Sequence, residues 1–157
     1  ACGCKWYLKV ATSLGEEPHP LSTSWGMVYG ANDLSIAFYN ESGQRITSAV
    51  QYPGSVNLFL DPHLLCGNFD ITNELSASDW VWSRYTGNYG EEIDTRTPAD
   101  RQADQGWPNA HWPSTPQTRT IRINNDDMPP SWGNGPIVNF IITASYNGIS
   151  IPNIVQM

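Results

Sequence analysis

Two stretches carry the side chains best suited to meet a ligand. One is Trp107-Pro-Asn109-Ala-His111-Trp112-Pro, the other Ser131-Trp132-Gly-Asn134. Sugars present flat C–H faces ringed by hydroxyls. An indole supplies area for the face, while Asn, Asp and His supply donors and acceptors for the hydroxyls. Trp107, Asn109, His111, Trp112, Trp132 and Asn134 are therefore the candidate ligand-binding residues. The competing reading of these tryptophans is as anchors that pin long loops onto a core.

The run Asn124-Asn125-Asp126-Asp127 offers a second chemistry. Calcium takes about six to eight oxygen ligands and recruits backbone carbonyls, so Asn124, Asp126 and Asp127 are the candidate metal ligands, with calcium the one cofactor considered. The spacing is not that of an EF-hand loop, and Asx-rich turns place the same residues for backbone reasons alone. His19, His63 and His111 share no metal-ligand spacing. Asp70, Glu74 and Asp79 lie close in sequence, as do Glu91 and Glu92. Nothing in sequence sets any two of these across a cleft at glycosidase separation. Gly-x-Ser-x-Gly, His-Glu-x-x-His and phosphate-cradling glycine loops are all missing, so a non-catalytic role is expected.

The elements that must position these residues are strands. Ile137–Tyr146 and Ile149–Val155 flank Asn147-Gly148, the dipeptide that best tolerates the positive φ of a type I′ turn. Closing that turn sets Tyr146 opposite Ile149, Ala144 opposite Ile151 and Phe140 opposite Val155. Val138, Phe140, Ile142, Ala144 and Tyr146 then share one apolar face. Pro152 falls on the other parity, which places its missing N–H on the outer side of an edge strand.

Further strands are expected at Lys5–Thr12, Trp25–Tyr29, Leu34–Tyr39, Gln44–Val50, Ser55–Leu60, around Asn68–Ile71, at Asp79–Tyr85 and at Thr118–Ile123. Leu14–Ser24 reads as a loop. Asn40–Gly43 is a hairpin turn, and Asp61-Pro62 should break the strand before it. Trp80, Trp82 and Arg84 share a strand face that is either a stacking platform or, as we favour, a covered sheet surface. Residues 86–117 and 124–136 read as two long irregular loops, with Thr97 and Pro98 able to start a turn or two of helix. The expected fold is one all-β domain over residues 1–157. Its expected form is an antiparallel β-sandwich, with a β-barrel as the alternative.

Composition agrees. Charged residues make up 15% of the 157, and 13 Gly, 12 Pro and 7 Trp suit a turn-rich β protein. The net charge of −7 repels phosphate backbones, so nucleic acid is not an expected partner. The apolar runs are too short to span a bilayer, so no transmembrane segment is expected. With three cysteines, one bridge from Cys2 or Cys4 to Cys66 leaves a thiol over. A chain numbered from Ala1 fits either a cleaved leader or a trimmed Met. A secreted or cell-surface protein binding a glycan or cell-surface ligand is the reading we adopt, with a cytoplasmic location as the alternative. The rivals are a toxin or defence-type protein docking on membranes or receptors, and a self-assembling subunit or homo-oligomer using the edge of the last strand.

Overall fold

The computed structural model describes residues 33–47, 51 and 54–157, together with the backbone of strands β1 (Lys5–Lys9) and β2 (Ser22–Gly26). These two pair antiparallel, Lys5 opposite Gly26. Ser22–Ser24, expected in a loop, is thus strand. The rest of the N-terminal expectations, with Cys2, Cys4 and His19, lies outside the described residues.

One sheet is built from β3 (Leu34–Tyr39), β4 (Arg45–Ile46), β5 (Asn57–Cys66), β6 (Phe69–Asp70) and β8 (Ile121–Asn124), in the order β4-β3-β5-β6 with β8 also on β5. The other runs β10 (Ile149–Gln156), β9 (Val138–Tyr146), β7 (Trp80–Thr86). Every pairing is antiparallel. The fold is all-β and sandwich-like, with no closed barrel among the described residues, so the barrel alternative falls.

Period-two burial builds the core. Leu58, Leu60, Leu64 and Cys66 alternate inward on β5, Ile121 and Ile123 on β8, and Trp80, Trp82 and Arg84 on β7. Phe38 and Trp82 stack between the sheets at 6.3 Å. Leu60, Leu64, Trp82, Ile123, Val138, Phe140 and Ile142 are wholly buried. Each such aliphatic or Phe side chain contributes roughly 1.5–3 kcal/mol of transfer free energy.

The closing hairpin takes the expected register, Tyr146 opposite Ile149, Ala144 opposite Ile151 and Phe140 opposite Val155. Asn147 and Gly148 take φ 49° and 77°, the I′ pattern. Val138 and Met157 exchange both backbone bonds, which fixes the hydrogen-bonded parity and turns the nitrogen of Pro152 outward. The neighbouring outward N–H, that of Ile154, bonds Asn153 Oδ1, while Asn153 Nδ2 donates to Ile36 O on β3 at 2.7 Å. This edge is therefore blunted at its middle.

Asp61-Pro62 does not end a strand: β5 runs through it, with Pro62 wholly buried. Residues 57–60 pair with β8, and 65–66 with β6. Pro62 sits between those stretches. It shares parity with Leu64, whose N–H leaves the ladder for Thr72 Oγ1. The missing donor falls in a gap, where it costs no ladder bond.

The stretch 86–117 is not irregular throughout. Pro98–His111 forms a helix, α1, of 14 residues. Its start is as expected: Thr97 is the N-cap, accepting from the Asp100 N–H at 3.1 Å, and Pro98 opens the helix. It runs well past the one or two turns expected, through Pro108 near its C-terminus. The cause is tertiary. Asp104 and Trp107, one turn apart, are both buried against the β7–β9 sheet, and Trp107 meets Phe140 edge-on at 5.2 Å.

Candidate functional site: a pocket between the helix and the 124–127 turn

Asp127 organises the site. It ends a 3-10 turn, Asn125–Asp127, that follows β8, and it is buried. Its Oδ2 accepts the Asn124 N–H at 2.8 Å, and Asn124 Oδ1 accepts the Asp126 N–H at 2.8 Å, so a capping box sets the turn. Its Oδ1 accepts Trp107 Nε1–H at 2.9 Å and faces His111 Nδ1 at 2.5 Å. Its backbone carbonyl accepts Arg84 Nη1–H at 2.6 Å. Trp107 and His111 project from one face of α1 because they are four residues apart. Trp112 caps the group, edge-on to His111 at 4.3 Å.

Behind the turn lies a second buried hub. Asp104 accepts from Arg84 Nε at 2.8 Å, from Thr86 N and Oγ1, each at 2.8 Å, and from Arg96 Nη1 at 3.1 Å. Arg84 therefore ties α1, β7 and the 124–127 turn together through two acidic residues. Arg96 also pairs with Asp94, and its hydrogen bonds hold the Asp94 carboxyl well below the usual range. Arg96 lies over the Tyr85 ring at 3.8 Å, and burial together with the Asp94 charge raises the Tyr85 phenol above its ordinary value.

Between these elements is a pocket of about 270 Å³ lined by Trp107, Ala110, His111, Asn124, Asp126 and Asp127. The structure thus merges most of the two sequence-derived sets, placing two of the ligand-binding candidates beside all three metal candidates. Asn109 is exposed on α1, and Trp112 is half-buried against His111. Trp132 and Asn134 are not among the walls. They occupy a separate 3-10 turn, Trp132–Asn134, tethered by Ser131 Oγ–H to Asp100 Oδ1 at 3.1 Å. Asp100 is in the first turn of α1 and His111 at its end, about 16 Å along the axis. Trp132 is half-buried, and its buried Nε1 has no partner among the described residues.

Trp107, expected on a loop reaching into solvent, is 2% exposed. It is the anchor of the competing reading, and only part of its ring forms the pocket wall. Among the metal candidates, the oxygens of Asn124 and Asp127 are turned to backbone and side-chain donors, as the capping-turn reading requires. No group of three or more His, Cys, Asp or Glu is arranged to hold a metal among the described residues. Trp80, Trp82 and Arg84 lie on a covered sheet face.

Sequence reasoning missed Arg84 and Asp104 as a pair. The signal was present: an arginine in phase with two buried tryptophans needs a carboxylate. It also missed a cluster on the other sheet. There His63 places Nε2 3.0 Å from Asp61 Oδ2 and Nδ1 2.6 Å from Asp70 Oδ2. Burial pushes the Asp70 carboxyl up, but hydrogen bonds from Thr72 and His63 outweigh it and leave the group below its ordinary value.

Chemically, Asp127 fixes the His111 ring through Nδ1 and leaves Nε2 without a partner among the described residues. His111, Asp126 and Asn124 line the pocket beside the Trp107 indole. None of its lining residues carries a hydroxyl or thiol nucleophile. Comparison with protein-family models, curated proteins and solved structures yields no match, and the site is read from its own geometry.

Proposed function

We propose that this is a non-catalytic binding protein that holds a small polyhydroxylated ligand, a sugar residue of a glycan, in the pocket between α1 and the 124–127 turn. The observation that carries the reading is the arrangement of His111. Its ring is locked by Asp127 while Nε2 has no partner among the described residues, on a pocket shared with Asp126 and Asn124. A hydroxyl donates and accepts, so a ring nitrogen, a carboxylate and an amide at fixed positions suit a diol. The Trp107 edge adds a small apolar wall beside these polar groups. Binding sites of this kind combine apolar walls with a few placed polar groups on rigid elements. Extracellular glycans fit the chain's disulfide at Cys66, since such bonds persist in oxidising compartments.

The test is a glycan array followed by calorimetry on the strongest hit. Asp126→Ala removes an exposed carboxylate from the pocket rim without touching the Asp127 hub. It should weaken binding about tenfold, the loss of one good polar contact to ligand. An array with no hit, or an Asp126→Ala variant with unchanged affinity, contradicts the proposal.

A further inference from the structure

A second site lies at the start of β7, beside the 72–79 turns, and it does not depend on the sugar pocket. Two adjoining cavities, of about 300 and 530 Å³, share Ser76, Ala77 and Trp80. The smaller is reached by Arg119. The larger is walled by Ala77, Val81 and Pro116, and Val81 is one of the few large apolar side chains left half in water.

Arg119 is held in a particular way. Its Nη1 group donates to Asp61 Oδ1 and, at 2.5 Å, to Pro62 O. Both N–H groups of that nitrogen are thereby engaged. Nε and Nη2, the side-on edge that grips a planar carboxylate with two parallel bonds, have no partner among the described residues. Asp61 does not serve Arg119 alone, because its Oδ2 faces His63 Nε2 at 3.0 Å. The guanidinium carbon stands 6.0 Å from the Trp80 ring centroid. Arg119, with one edge of its guanidinium unengaged among the described residues, thus lines a shallow depression that adjoins a more apolar one.

We infer that this is a binding site for a small apolar monocarboxylate, with its head on the free edge of Arg119 and its tail along Ala77, Val81 and Pro116. The charge at the head end and the apolar walls beyond it select an anion with a short hydrocarbon body. In a chain of net charge −7 a lone anion has no general reason to bind.

The experiment is calorimetry of the full chain with octanoate, octanol, acetate and octyl sulfate. Octanoate should bind saturably, while octanol and acetate at equal concentration should not. Arg119→Lys keeps the charge and loses the side-on fork, and should weaken octanoate about tenfold. Val81→Asp, at a half-exposed position, places a like charge in the apolar depression and should abolish binding in a protein that still unfolds cooperatively, with at most a small drop in melting temperature. If Arg119→Lys does not fold, Val81→Asp decides alone. Octanol or octyl sulfate binding as tightly as octanoate overturns the assignment. So does wild-type affinity in Val81→Asp, or no octanoate binding at all.

Discussion

His111 Nδ1 lies 2.5 Å from Asp127 Oδ1, across 16 residues of sequence. That contact turns a helix end and a strand end into one pocket. It binds the imidazole to a carboxylate already held by the Asn124 N–H and the Trp107 indole, so the ring has little freedom to turn away.

Trp107 is a core residue of the helix, and its truncation should act on stability. Trp107→Ala removes a buried ring and leaves Asp127 short of a donor. It should cost about 3–5 kcal/mol. Urea unfolding monitored by circular dichroism measures this; a loss below about 1 kcal/mol would mean that the helix is not anchored by this ring.

The Arg84–Asp104 pair is buried on both sides, with side-chain exposures of 4% and 2%. Asp104→Ala strands the guanidinium and the Thr86 groups in the interior. The expected cost is about 3–5 kcal/mol, the scale for breaking a buried pair from one side. Arg84→Ala on the Asp104→Ala background should cost far less than Arg84→Ala alone, which a double-mutant cycle reads directly.

Gly148 turns the final hairpin at φ 77°. Gly148→Ala puts a Cβ into left-handed backbone and should lower stability by about 1–2 kcal/mol. Nothing lies within 4 Å of the added atom, so the effect should be purely conformational. An unchanged denaturation midpoint would argue against the I′ turn.

Acid should weaken the fold through Asp94. Its folded value lies below the ordinary 3.8 because Arg96 hydrogen-bonds the charged form. The stabilisation is therefore fully present above the unfolded value and is lost as pH falls through the folded one. Asp94→Asn should be less stable than the parent at pH 6, and the gap should narrow progressively as pH falls below the ordinary 3.8. A gap independent of pH would assign the effect to something other than the carboxylate's charge.

Chelation should leave ligand binding unchanged. Asn124 Oδ1 and both Asp127 oxygens already accept protein donors, which is what a capping turn needs without a metal. Calorimetry with and without a chelator checks this, and a loss of binding on chelation would favour the metal reading.

The strands that were legible in sequence are those whose signals are local. Asn147-Gly148 set the final register, and alternation marked β7 and β9. The helix was only half legible: Thr97 and Pro98 marked its start, but what carries it through Pro108 is the docking of Asp104 and Trp107 onto a sheet far away in sequence. Pro62 misled for a related reason, since whether a missing N–H matters depends on the partner strand. Candidate side chains could be identified by type. That His111 and Asp127 meet while Trp132 stands near the opposite end of α1 is tertiary information, which periodicity does not hold.

The most direct test of the account is calorimetric titration of the best array glycan into the parent protein and Asp126→Ala, with melting temperatures measured on both. The account predicts equal stability and about tenfold weaker binding in the variant. Equal affinity in two equally stable proteins would contradict it.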